Sequence, residues 1–151
     1  MKLVAPFTRI AVLTFAASLA LIASAQAGGT RVLVTESHRG GDDALLVTVT
    51  ECGTPGHVTV QAVAEGRVGD RRVSRTLAVE STAKPGVFRV RPEWPGDGTW
   101  LVRITSTGAH SMTALARVRS PRPGAKLLGK VQYLYGAAGE RDVLAALGSR
   151  S

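Results

Sequence analysis

One cysteine, Cys52, stands in the whole chain of 151 residues, so no disulfide can close within it. A disulfide-stapled secreted scaffold is excluded, and any core must come from apolar packing alone. Paired Cys or His at short fixed intervals, the spacing of zinc sites, are absent. So are the phosphate-binding G-x-x-x-x-G-K-[ST] loop, the G-x-S-x-G elbow and the H-E-x-x-H helix. Ser37-His38 and Asp42-Asp43 lie close in sequence, but in a Gly-flanked polar loop that does not assemble a nucleophilic triad. An enzyme is not expected. Aromatic residues make up only 5% of the chain, too few among the basic residues to form a base-stacking platform. Nucleic acid is therefore not the expected partner, although the formal net charge is +8.

The one long apolar run is N-terminal. Lys2 and Arg9 precede Ile10 to Ala23, and Ala25-Gln26-Ala27 supplies a small-x-small site, the pattern of a cleaved secretory leader. The run is shorter than the ~18–20 residues that span a bilayer, so no transmembrane anchor is expected after cleavage. No cysteine occupies the position after Ala27, which argues against lipid acylation. The expected organisation is a signal peptide over 1–27, a domain over 28–120 and a C-terminal extension over 121–151. Without the leader, Lys2 and Arg9 go with it, leaving 17 basic and 11 acidic residues. Export to the periplasm or outside the cell points that charge toward an envelope protein or an anionic envelope surface.

What fills the domain is period-2 alternation. From Gly86 to Thr107, Phe88 and Val90 alternate with Arg89 and Arg91, and Trp100, Val102 and Ile104 alternate with Leu101, Arg103 and Thr105. Pro95-Gly96-Asp97-Gly98 separates the two runs. Both tryptophans lie in this window, which places the centre of the core here. Further strands are expected over Arg31 to Glu36, Leu45 to Thr50, His57 to Glu65, Arg72 to Glu80 and Ser111 to Arg119. Arg75 breaks the pattern, sharing the phase of Val73, Leu77 and Val79. Seven short strands with turn signals between them predict an all-β immunoglobulin-like sandwich, with an up-and-down barrel as the alternative. Beyond Pro121-Arg122-Pro123-Gly124, an eighth strand over Leu127 to Tyr135 and a short helix over Glu140 to Leu147 are expected to pack loosely or fray.

The segments Leu46-Val47-Thr48-Val49-Thr50-Glu51-Cys52-Gly53-Thr54-Pro55, Lys84-Pro85-Gly86-Val87-Phe88-Arg89-Val90 and Trp94-Pro95-Gly96-Asp97-Gly98-Thr99-Trp100-Leu101-Val102-Arg103-Ile104-Thr105 resemble the bacterial envelope immunoglobulin-like domains of the YtkA-like and FixH kind. The resemblance covers about Ala44 to Val118. It implies a hairpin-like structural core around Gly86, Phe88, Val90, Gly98, Trp100, Val102 and Ile104, and no catalytic residue. Exported domains of this shape include copper-handling ones of the CopC-like group, which makes copper the alternative to a protein with no cofactor.

Two sets of candidate residues follow. His110 and Met112, one residue apart, would share a strand face, and imidazole with thioether suits copper; His57 and Cys52 could complete the set. Met112 is equally in phase with the inward Ala114, Ala116 and Val118. Cys52 fits either an exposed thiol or a small apolar residue under a loop. The second set is basic: Arg103, Arg117 and Arg119, at outward positions of neighbouring strands and extended by Arg122, would form one partner-binding face.

Overall fold

The computed structural model describes residues 29–37, 44–51, 58–96, 98–119 and 125–148. The expected leader over 1–27, His38, Asp42-Asp43, Cys52, His57, Asp97 and Pro121 to Gly124 lie outside the described residues. The elements are β1 (Thr30–Ser37), β2 (Ala44–Glu51), β3 (Thr59–Val68), β4 (Arg71–Leu77), β5 (Val79–Ser81), β6 (Val87–Val90), β7 (Thr99–Thr107), β8 (Met112–Val118), β9 (Leu128–Tyr135) and α1 (Glu140–Gly148).

The strands form two antiparallel sheets, ordered β1-β2-β6-β5 and β4-β3-β7-β8-β9. The first order is that of strands A, B, E and D of an immunoglobulin domain. The second holds strands C, F and G as β3, β7 and β8, with β4 and β9 added at either edge. The fold is an all-β immunoglobulin-like sandwich. Its core is the inward phase of the strands: Val32 and Val34, Leu45, Val47 and Val49, Ala62 and Ala64, Trp100, Val102 and Ile104, and Ala114 and Ala116. Trp100 is centred there, 1% exposed and opposite Gly66 in register. Its ring lies so close over Gly66 that any Cβ at that position would meet three ring carbons. The absence of a side chain on Gly66 is what lets the indole lie flat on the sheet. Gly98, with φ of 87°, turns the chain into β7, and a Cβ there would strike the carbonyl of Arg67.

Two expectations change. β6 and β7 do not form a hairpin: β6 pairs with β2 and β5, whereas β7 pairs with β3 and β8. The stretch between them crosses from one sheet to the other. Trp94 fills that crossing, 3% exposed, with its indole Nε1 donating to the carbonyl of Arg119 at 3.0 Å. Likewise the single strand expected over Arg72 to Glu80 divides at Ala78. β4 stays with β3, and β5 moves to the opposite sheet beside β6. This switch is how a sandwich turns a corner without a loop.

The C-terminal extension is built into the sandwich rather than loosely attached. β9 pairs along β8 with one irregularity near Val118, and α1 lies on the outer face of the five-stranded sheet. Leu101 and Leu115 sit on that outer face, and Val143 and Ala146 of α1 bury them. A two-turn helix is unstable alone, so this apolar seat is the condition of its existence. The carboxylate of Asp142 accepts from the Gly139 N–H at 2.9 Å and closes the helix start. Among the described residues no helix is long and apolar enough to cross a membrane.

One polar group fits this core poorly. Ser106 is 1% exposed, and its hydroxyl has no hydrogen-bond partner among the described residues. Ser106→Ala is expected to raise stability by about 1 kcal/mol, because an unpaired buried hydroxyl costs more than it returns. Urea unfolding of the two proteins measures it; a loss of stability would show that the hydroxyl is paired in solution.

Candidate binding edge

Two of the arginines expected to form one basic face, Arg103 and Arg117, have other work. Glu65 projects from β3 onto the outer face and is only 4% exposed. Arg103 Nη2 lies 3.1 Å from its Oε1, and Arg72 Nη2 lies 3.4 Å from its Oε2. Arg72 also pairs with Glu140, the first residue of α1, with a second contact at 3.2 Å. At the other end of the helix, Arg117 Nε donates to the carbonyl of Ala146 at 3.0 Å. A cation at the C-terminal carbonyls and an acid at the N-terminus both suit the helix dipole. Arg117, with Arg72, therefore holds α1 in place, and Arg103 is tied to Glu65, so Arg103 and Arg117 do not face solvent as a pair. The Arg119 side chain is exposed, while its backbone N–H donates to Leu127 at 2.9 Å; Arg122 lies outside the described residues.

The hydrogen bond from Arg72 holds the Glu140 carboxyl below its ordinary value of 4.5. Arg72 is correspondingly raised, chiefly by the same bond. A depressed acid contributes stability above its unfolded pKa and loses it as pH falls through the folded value. Docking of α1 is thus expected to be constant at neutral pH and to loosen below about pH 4.5. Amide exchange along 140–148 would follow it, and Glu140→Gln should remove the acid-dependent part. An unchanged profile in that variant would assign the loosening to another group.

The copper pair is not formed as expected. β8 begins at Met112, and His110 lies in the bend before it, so the two do not share a strand face. His110 is exposed, whereas Met112 is 6% exposed and belongs to the core. Nearby, the Glu51 carboxylate accepts from the Ala109 N–H at 3.1 Å and ties the bend to the end of β2. Between β8, β9 and α1 runs a cleft of about 40 Å³, lined by Leu101, Leu115, Arg117, Lys130, Gln132 and Ala146. Ligand pockets are roughly 300–1,000 Å³, so this one is too small for more than water.

The remaining feature is β4. Arg71 through Thr76 are all exposed, and only Leu77 is buried. It is an edge strand, paired with β3 on one side and with nothing described on the other. Arg71, Val73 and Arg75 project from the same face as the buried Leu77, but beyond the cover of the opposite sheet; Val73 is 36% exposed. Arg67, near the end of β3 and opposite Arg72 in register, is exposed as well, on the outer face. Arg67, Arg71 and Arg75 make no ion pair among the described residues. The opposite flank of the sandwich is treated differently. There Tyr133 of β9 takes the Val34 N–H on its hydroxyl at 3.2 Å, and the Glu36 carboxylate takes the Leu128 N–H. Those contacts occupy backbone donors on both facing edges, whereas among the described residues β4 is guarded by charge alone.

No family model, curated protein or solved structure matches this chain.

The sequence carried one sign of this edge. Arg75 sat in the phase of core residues, and a long cation in a core phase marks a strand that outruns its cover. Glu65 gave no comparable sign, since an outward carboxylate on a strand reads as solvated until α1 is laid over it.

Proposed function

We propose that the protein is an exported, non-enzymatic immunoglobulin-like module of the bacterial envelope that binds an acidic partner protein along β4. The observation that supports this reading is the cationic edge: Arg67, Arg71 and Arg75 lie exposed on one hairpin beside an exposed valine and make no ion pair among the described residues, with Asp70 the one acid of the turn. The leader over 1–27 and the resemblance to envelope domains of the YtkA-like and FixH kind accord with it. An edge charged in one sign attracts opposite charge from a distance and resists pairing with itself.

Poly-glutamate is a suitable probe, because it presents charge without a fixed pattern. The protein is expected to be retained on it at low salt and released near physiological ionic strength, where the screening length is about 8 Å. Arg71→Ser with Arg75→Ser should weaken retention by about tenfold. Arg103→Ser with Arg117→Ser, measured on protein that remains folded, should leave it unchanged. If the second pair carried the effect and the first did not, the binding face would belong to the outer face under α1.

A further inference from the structure

Resting on that reading, we infer that the partner binds by strand addition: an extended acidic segment pairs its backbone with β4 and continues the five-stranded sheet. In an edge strand every second residue points its N–H and C=O away from the sheet. Over the seven residues of β4 these groups form a ready ladder, and no proline interrupts it. Arg71 to Thr76 of β4 are exposed on both faces, so among the described residues nothing covers the place of a strand laid beside it.

The side chains restrict which strand can be accepted. Arg71, Val73 and Arg75 stand in a row on one face, two residues apart. The residues opposite them in a new antiparallel strand also stand two apart. The row therefore calls for an acidic residue, an apolar residue and an acidic residue at alternate positions. A glutamate opposite each arginine gives a favourable cross-strand pair, and an aliphatic side chain covers Val73. On the other face Ser74 and Thr76 ask only for polar residues, since Arg72 is already engaged with Glu65 and Glu140.

A second copy of this chain is the occupant the charges refuse. Two β4 strands pairing antiparallel about Val73 would set Arg71 of each against Arg75 of the other. Like charges directly opposite destabilise a ladder. In that register the edge repels itself and accepts a strand of the reverse charge, which is specificity achieved partly by repulsion.

The experiment uses protein purified from cells expressing the full chain, and a synthetic peptide containing Glu-Thr-Val-Thr-Glu. Two further peptides carry the same residues, N-methylated on one or the other alternate set of amides. An added strand bonds to β4 through only one of those sets. The parent peptide is expected to bind, one methylated peptide to bind at least about tenfold more weakly, and the other to stay close to the parent. Amide exchange in 71–77 should slow on binding. Arg71→Ser with Arg75→Ser should weaken the parent by about tenfold. Equal affinity for all three peptides overturns strand addition but leaves the basic edge standing, because charge alone would then be read. Failure of both the parent peptide and poly-glutamate to bind overturns the basic-edge reading together with this one.

Discussion

Trp100→Ala is expected to lower stability by about 3–5 kcal/mol, a large share of what holds a domain of this size. The indole is 1% exposed, and its removal leaves a void bounded by Gly66, which has no side chain to swing into it. A leucine would fill part of the space, so Trp100→Leu should cost less than the alanine. Gly66 supplies the converse test. Gly66→Ala in the natural chain sets a methyl group against the ring and must displace it. In the Trp100→Leu background the same methyl finds room, and its cost should fall by more than 1 kcal/mol, the signature of direct coupling between neighbours. Chemical unfolding of the four proteins gives the cycle. Additive losses would mean that the ring does not rest on Gly66 in solution.

That coupling is legible only in part from residue order. The alternation around Trp100 identifies a strand and an inward face, and the observed boundaries of β1, β2, β6, β7 and β8 lie within a residue or two of the alternating runs. Alternation is local, and it stops where partners are chosen. It does not say that β6 and β7 belong to different sheets, because a turn-rich connection fits a hairpin and a crossing equally well. Trp94 was the informative residue: a tryptophan inside such a connection needs burial, and a hairpin turn offers none. Leu101 and Leu115 are a second case. Each stands in a polar phase, between residues that point to solvent in a bare sandwich, and each is buried because α1 covers that face. Apolar residues on the wrong phase of two adjacent strands foretell a third layer.

Charge was harder to read than hydropathy. Arginine on an outward phase has the same pattern whether it faces solvent, binds a partner or pairs with a residue far along the chain. Arg103 and Arg117 are of the last kind, since their partners, Glu65 and the Ala146 carbonyl, are set by the sheet register and by a helix that docks from the far C-terminal end. His110 and Met112 do not share a strand face for a related reason. The spacing of His110 and Met112 has meaning only if both lie on one strand, and the strand begins between them.

Arg103→Met should lower stability by about 2–3 kcal/mol, although its side chain is one-third exposed. The cost does not arise from a surface ion pair, which is worth little. It arises from Glu65, whose side chain is only 5% exposed and would be left with Arg72 at 3.4 Å as its remaining cation. Breaking one side of a buried pair commonly costs about 3–5 kcal/mol, and the surviving arginine moderates that figure. Removing the acid as well reverses the argument. In Arg103→Met with Glu65→Met no buried charge is stranded, two flexible apolar side chains lie under α1 beside Leu101, and most of the lost stability should return. Arg72 keeps Glu140 in the double variant, so the helix start remains held. Thermal unfolding separates this account from the binding one. A partner-binding arginine would lose affinity with its stability intact; Arg103 is expected to lose stability, regain it in the double variant, and leave the acidic peptide bound to β4 throughout.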